Sequence, residues 1–443
     1  MMQDRFGECL GKDIFALVLE DNRELIYAPL IGMALIVNTS YRKLLVRALQ
    51  GDIKARHDLG LDHDTVLSLG SSQFHLNNPV NESPLPDPLE PSPLTLFLTN
   101  TCTMRCRYCY AGDAKARTMP KRMVENMIER AVTQTCRIGK SDHFALNIHG
   151  RDVGACWPLF VHTMEFAKGI CHEKGLKLQT TMGTNAVYNQ KQIEYIAANI
   201  TGATVSIDGT PKVHDAYRIL AHGGPSSKKV LRTLSEFDRL GFNYSVRMTV
   251  LEDTVEDLPE SVAFVLAHTR AKKIKVEPLY MRGHALHSCL RPPEPHRFVE
   301  FFIKAQGLAH KKNVELSYSG ARSGIVTKTF CSACQPIFGV TPEGYLTACY
   351  EVLDHHDPLS DYFIYGQYDP AKDGLTVQRD VVTKLRKATS DRLESCGDCF
   401  CKWSCGGDCP AKFLLTQTSD SDSIPDRCII TRALTKHQVL SSL

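Results

Sequence analysis

No run of 18 apolar residues occurs in this 443-residue chain, which excludes a membrane-spanning helix. The N-terminus, MMQDRFGECLGKD, lacks a basic stretch followed by an apolar one, so no secretory signal is read and the chain is expected in the cytoplasm. No lysine/arginine stripe is present, and the net charge is only +3, so nucleic acid is not an expected partner. A charged fraction of 23% and a hydrophobic fraction of 43% fit a soluble folded chain long enough for two to four domains.

Cysteine is abundant. Of 17 cysteines, three lie at 102–109, three at 331–349, five at 396–409 and one at 428. Close clusters in a reducing compartment read as metal ligands rather than disulfides. Cys9, Cys136, Cys156, Cys171 and Cys289 are scattered, and most of them read as small buried hydrophobes.

Three parts follow from composition and periodicity. Residues 1–78 hold a strand-like pair, ELIYAPL and MALIVN, then the helix-like SYRKLLVRALQ, and are expected to form a small α+β segment. It serves either as a leader-peptide-binding module or as a cap on the next domain. Residues 79–93 carry six prolines and read as a linker, because proline at that density continues neither helix nor central strand. From 94 to 312, six strand-like segments alternate with helix-length ones: LTLFLTN, FALNIHG, LKLQTTMG, ATVSIDG, YSVRMTV and KIKVEPLY. They read as buried parallel strands of a partial (β/α)6 TIM-like barrel, an α/β fold. Polar residues and glycines gather at the strand ends: Asn100, His149-Gly150, Gly183-Thr184, Asp208-Gly209 and Glu277. Catalytic groups of such barrels stand at that end, and by position alone Asp208, Glu277 and Tyr280 are candidate bases. Residues 313–443 are cysteine-rich, short of periodicity, and expected to need staples.

The first cysteine cluster, NTCTMRCRYCYAGDA, directly follows the first barrel strand. Four thiolates close a metal site, whereas three leave one position open. The spacing C-x3-C-x2-C suits a [4Fe–4S] cluster with one iron free, while zinc finds no fourth Cys or His in the loop.

This loop resembles the signature of radical S-adenosylmethionine enzymes. The resemblance covers residues 94 to about 312. It implies that Cys102, Cys106 and Cys109 ligate three irons and that S-adenosylmethionine takes the fourth. Electron transfer would then release a 5′-deoxyadenosyl radical that abstracts hydrogen from an unactivated position. A low-potential donor such as ferredoxin or flavodoxin is the implied electron source. Tyr108 would lie against the adenine. In VSIDGTPKVHDAYR, Ser206 and Asp208 would face the cofactor ribose or the substrate, with Arg218 nearby. Arg247 would pair either with the cofactor carboxylate or with an acid such as Glu277.

One stretch departs from the family. Members carry a motif like H-G-G-G-E-P-T after the second strand; here it reads HGRDVGACWP. His149, Gly150, Trp157 and Pro158 match its flanks, but the glutamate that would receive the methionine ammonium is absent. Asp152 substitutes for it, or the enzyme is impaired, or the local sequence is in error.

The C-terminal spacings resemble the SPASM domain, which holds two auxiliary [4Fe–4S] clusters in peptide-modifying members. The resemblance implies Cys331, Cys334, Cys349 and Cys409 at the first cluster and Cys396, Cys399, Cys405 and Cys428 at the second. Cys331 and Cys334 could instead alternate, leaving the first cluster an open iron. Cys401 is surplus, a spare thiol or a swapped ligand. The implied substrate is a peptide or protein side chain. Maturation of a ribosomally made peptide and formylglycine formation by an anaerobic sulfatase-maturating enzyme compete. A non-catalytic iron–sulfur protein that escorts peptides or transfers electrons stands as the other class.

Overall fold

The computed structural model describes residues 8–11, 13–19, 22–60, 93–112, 115–334, 338–416 and 424–443. Residues 79–92 of the expected linker lie outside them. The chain forms two compact units. The first comprises 1–81, 320–334 and 386–443; the second comprises 82–319 and 335–385.

In the first unit four short strands, β1 (Glu8–Gly11), β2 (Ile14–Val18), β3 (Glu24–Ala28) and β4 (Met33–Val37), form an antiparallel sheet in sequence order. Alternation gives the central strands two apolar faces. One face packs Ile14, Ala16, Ile26 and Ala28 against Leu45 of the helix Thr39–Leu49. The other packs Phe15, Leu17, Leu25 and Tyr27 against Phe400, Cys401, Cys405 and Val439. Asn38 caps the helix by accepting from the Tyr41 N–H at 2.8 Å. The cysteine-rich 386–443 region therefore borrows its core from a sheet nearly four hundred residues away in sequence. Residues 320–334 are tied to it by Arg322, which donates to the carbonyls of Phe330 (2.9 Å), Ser404 (3.0 Å) and Cys405.

The second unit is built on the six expected strands: β5 (Leu94–Phe97), β6 (His143–His149), β7 (Lys177–Thr184), β8 (Gly202–Ser206), β9 (Tyr244–Val250) and β10 (Lys273–Pro278), each parallel to the next. The parallel run continues beyond them. The short β11 (Glu315–Ser317) joins β10, and β12 (Phe338–Val340) joins β5. Three antiparallel strands, β13 (Tyr345–Thr347), β14 (Ile364–Asp369) and β15 (Gly374–Val377), extend the β12 side. Among the described residues the sheet thus has two ends and is not a closed barrel.

The strands are not buried on both faces, as the sequence runs suggested. On β9, Tyr244, Val246, Met248 and Val250 are buried while Ser245, Arg247 and Thr249 are partly or fully exposed. The same alternation gives β6 a face of Asn147 and His149, and β8 one of Thr204 and Ser206. One face is apolar; the other is a polar lining around which the strand-end loops gather.

Candidate active site and cysteine cavity

The loop after β5 owes its shape to its neighbours. Arg105 and Arg107 N–H groups donate to the carbonyls of Ile219 (2.8 Å) and Tyr217 (2.9 Å), which follow β8. From beyond β10, the His284 N–H donates to the Cys109 carbonyl at 2.9 Å, and His284 Nδ1 lies 3.0 Å from the Cys106 carbonyl. Gly283 has φ +55, and a Cβ there would overlap the carbonyl oxygens of Cys109 and Tyr110. This clamp was not legible in the sequence; its trace is the Arg-Gly-His run at 282–284.

Cys102, Cys106 and Cys109 are all half-buried. The Cys102 sulfur accepts from the Met104 N–H (3.4 Å) and from Asn185 Nδ2 (3.5 Å). Burial pushes the Cys102 thiol up to about 12 and the Cys106 thiol up to about 11. Thiolates are the metal-binding form, so this pocket asks for a cationic group beside its sulfurs. Three sulfur donors without a fourth in the loop fit a [4Fe–4S] cluster with one open iron. Among the described residues, no three His, Cys, Asp or Glu side chains form a site for a single metal ion. Ligands of a cubane each hold a different iron and need not converge on one point.

Asp208, just past β8, is a hub. Its Oδ2 accepts from Arg218 Nε at 2.8 Å and from the Tyr108 hydroxyl; its Oδ1 accepts from the Thr249 N–H at 3.0 Å. The Arg218 guanidinium lies 5.2 Å from the Tyr108 ring centre. All three residues are buried. Burial alone would pull Arg218 down; the Asp208 carboxylate outweighs it and holds the guanidinium protonated. Tyr108 is pushed well up by burial, so its hydroxyl stays a donor. Sequence reasoning placed Tyr108, Asp208 and Arg218 at one site, and the structure joins them by direct bonds.

The departing stretch folds in a definite way. Gly150 has φ +107, and a Cβ there would stand 3.1 Å from Phe97 Cδ1, so only glycine fits without a shift. Arg151 donates to the carbonyls of Ala111 (3.2 Å) and Gly112 (2.5 Å), at the end of the cysteine loop. Asp152 is buried; Oδ1 accepts from the Gly154 N–H, and Oδ2 from Thr184 Oγ1 and the Asn185 N–H, each at 2.9 Å. Burial pushes the Asp152 carboxyl up, against the pull of those donors. Both oxygens are thus taken by protein groups. The carboxylate braces β6 against β7.

The polar lining holds the remaining candidates. Ser206 is half-buried and pairs in register with Arg247 on β9. The Arg247 side chain is exposed on that lining and, among the described residues, makes no hydrogen bond or ion pair. The pairing of Arg247 with Glu277 does not form: Glu277 accepts from the Ser319 N–H (3.1 Å) and Ser319 Oγ (2.9 Å). Tyr280 follows β10 and is half-buried. A residue the sequence did not flag, Tyr350, reaches this face. Its hydroxyl lies 3.1 Å from Thr95 Oγ1 and accepts from Asn147 Nδ2 at 3.0 Å, and its ring tilts over His149 with centres 4.4 Å apart. His149 is pulled down to about 4 by burial and by the charge of Arg247, so it is neutral near pH 7. Tyr350→Phe should destabilise the chain by no more than about 1 kcal/mol in urea denaturation, because half-buried Asn147 loses the shorter of its two Nδ2 contacts and keeps Thr95 Oγ1 at 3.4 Å. The one signal in sequence was its place next to Cys349.

In the first unit, Cys396, Cys399, Cys405 and Cys428 line one cavity of about 300 Å³, together with Cys401. Four thiols around one cavity are a donor set that fits a second [4Fe–4S] cluster. Cys401 is buried beneath Phe15 and Tyr27, and burial pushes its thiol well up, while Cys399 is pulled down by the hydrogen bond from Cys401 and by Arg432. Cys331, Cys334 and Cys409 also lie in this unit; Cys349 lies in the other. Cys334 is buried and donates to the Ala388 carbonyl at 3.0 Å.

Residues 96–265 match the family model of the radical SAM superfamily. The chain carries a radical SAM domain. No curated protein matches it by sequence. Among solved structures, it is similar to native anSMEcpe with bound AdoMet and Kp18Cys peptide, at 17% identity and a TM-score of 0.60, over 80% of this chain and 99% of that one. It is also similar to SuiB of Streptococcus suis bound to precursor peptide SuiA, at 13% identity and a TM-score of 0.52, over 92% of this chain and 96% of that one. At these identities the likeness is one of fold. The radical SAM domain begins inside β5 and ends in the helix Leu258–His268, so it includes the cysteine loop, Asp152, Asp208, Arg218 and Arg247. No described helix is long and apolar enough to cross a membrane.

Proposed function

We propose that the chain is a radical SAM/SPASM maturase that modifies a side chain of a ribosomally made peptide. The observation that carries the reading is the Cys102, Cys106 and Cys109 loop, three thiols at one strand end with no fourth donor in the loop. A [4Fe–4S] cluster held there with S-adenosylmethionine would supply one-electron cleavage of that cofactor to a 5′-deoxyadenosyl radical.

The chain's own residues do the rest. The His284 clamp and the Arg151 bonds fix the loop. The Asp208–Arg218–Tyr108 group keeps Arg218 and Tyr108 rigid beside Cys106, with the Tyr108 ring near the cofactor adenine. Asp208 is committed to an ion pair, which makes it a positioning residue rather than a base. Arg247, a cation on the lining, would receive a carboxylate of the cofactor or the peptide. Glu277 and Tyr280 remain the candidate proton acceptors, and a low-potential protein such as ferredoxin or flavodoxin would supply the electron. Cys331, Cys334, Cys349 and Cys409 would hold the first auxiliary cluster.

The peptide reading over sulfatase maturation draws support from the N-terminal sheet. β4 is an edge strand, and Leu35 and Ile36 on it are 41% and 39% exposed. An extended leader peptide can add to such an edge through main-chain bonds. SuiB, solved with a precursor peptide, is matched over 92% of this chain.

Anaerobic reconstitution tests the proposal. Iron should reach about twelve per chain, falling to about eight in Cys102→Ala/Cys106→Ala/Cys109→Ala, as three four-iron clusters require. Dithionite should yield 5′-deoxyadenosine from the native chain and none from the triple variant. Absence of that product from the fully loaded native chain would sink the catalytic reading in favour of a non-catalytic iron–sulfur protein.

A further inference from the structure

The cavity of the first unit has a charge arrangement that the cysteine spacing does not announce. Of its lining residues, Asp408, Lys402 and Arg432 are charged. Asp408 is taken up by Arg427, with three N···O contacts between 2.8 and 3.1 Å, both side chains buried. Lys402 is taken up by Asp13, 2.7 Å away and also buried. Arg432 is different: it brings a cation to the wall that it shares with Cys396, Cys399, Cys405 and Cys428. It lies on the helix Asp426–Ser441, four residues after Cys428, so the two project from one helix face into the same cavity.

A guanidinium in the wall of a cluster cavity offsets the negative charge added on reduction. Net charge is among the terms that set iron–sulfur potentials, and a nearby cation stabilises the reduced form.

We propose that Arg432 is a tuning residue for the cluster held by Cys396, Cys399, Cys405 and Cys428, raising its reduction potential so that it accepts an electron more readily. This rests on the cluster reading proposed above. The role is separable from ligation, because Arg432 supplies no sulfur, and from folding of the surrounding loop, which Arg427–Asp408, Lys402–Asp13 and Arg322 already tie together.

The test is an anaerobic redox titration of the reconstituted full-length chain, followed by electron paramagnetic resonance. The relevant signal is the one lost, with about four irons per chain, in Cys396→Ala. If Cys396→Ala loses neither iron nor a signal, the cluster reading fails and the proposal falls with it. With the signal assigned, Arg432→Gln should shift its reduction equilibrium at least tenfold toward the oxidised form, ~59 mV lower for one electron. Arg432→Lys, which keeps the charge, should retain most of the native potential. A native potential in Arg432→Gln overturns the proposal and leaves the cluster standing. Should Arg432→Gln take up no iron, Arg432→Lys decides. A loaded cluster near the native potential supports the role of charge; a potential lowered tenfold or more, or no cluster, overturns it.

Discussion

Gly283→Ala should cost the protein its radical SAM cluster without touching a cysteine. Two penalties add. At φ +55 an L-residue is strained by about 1–2 kcal/mol. The new Cβ also overlaps the carbonyl oxygens of Cys109 and Tyr110. Those atoms are backbone, so they cannot swing aside as a side chain tip would. The cysteine loop must move, or residues 282–284 must, and either motion breaks the bonds of His284 to the carbonyls of Cys106 and Cys109. Iron should fall by about four per chain, the content of one cubane, and 5′-deoxyadenosine formation should be lost. The cavity of Cys396 and Cys428 belongs to the other unit and should load normally. Gly307→Ala is the control. It lies in the helix Pro295–His310, with nothing within 4 Å of the added methyl, so it should be neutral or stabilise by up to about 1 kcal/mol. Native iron content and native cofactor cleavage in Gly283→Ala would show that the clamp does not position the loop.

That clamp illustrates which parts of the molecule could be read from sequence. The six parallel strands β5 to β10 were legible because each is a short β-branched or apolar run followed by a helical period. The polar ends, Asp208 and the Cys102 loop, were legible because parallel strands with helical crossovers bring all strand ends to one edge. The radical SAM family match and the two peptide-bound structural relatives bear out the fold class read from those signals. Contacts that join distant segments left no period to read. β12 is three residues long and pairs with β5 across more than two hundred residues. Tyr350 bonds Thr95 and Asn147 across similar distances. The packing of Phe15 and Tyr27 over Cys401 unites the two ends of the chain. Asp152 shows a different limit. Its residue type was consistent with an acceptor for a cofactor ammonium, but of the donors on Gly154, Thr184 and Asn185 that reach its oxygens, the last two come from another strand end.

Asp208→Asn is the substitution expected to destabilise the radical SAM domain most. The native carboxylate neutralises Arg218 in a site where both are buried. Removing one member of a buried ion pair leaves an uncompensated charge and costs about 3–5 kcal/mol. Asparagine keeps one acceptor for the Thr249 N–H, so the loss is chiefly of charge rather than of backbone support. The double variant Asp208→Asn/Arg218→Met separates charge from shape. It removes the stranded cation, so it should recover most of the loss in urea denaturation, even though it carries one more substitution. Recovery of stability should not bring back function. Tyr108 would have lost the acceptor for its hydroxyl and the guanidinium over its ring, the two contacts that fix it beside the cysteine loop. The double variant is therefore expected to load iron and remain folded, yet to bind S-adenosylmethionine at least tenfold more weakly, about 1.4 kcal/mol of lost binding. A double variant no more stable than Asp208→Asn would mean that the pair contributes shape rather than charge balance. Native cofactor affinity in the double variant would remove Tyr108 and Arg218 from the binding site.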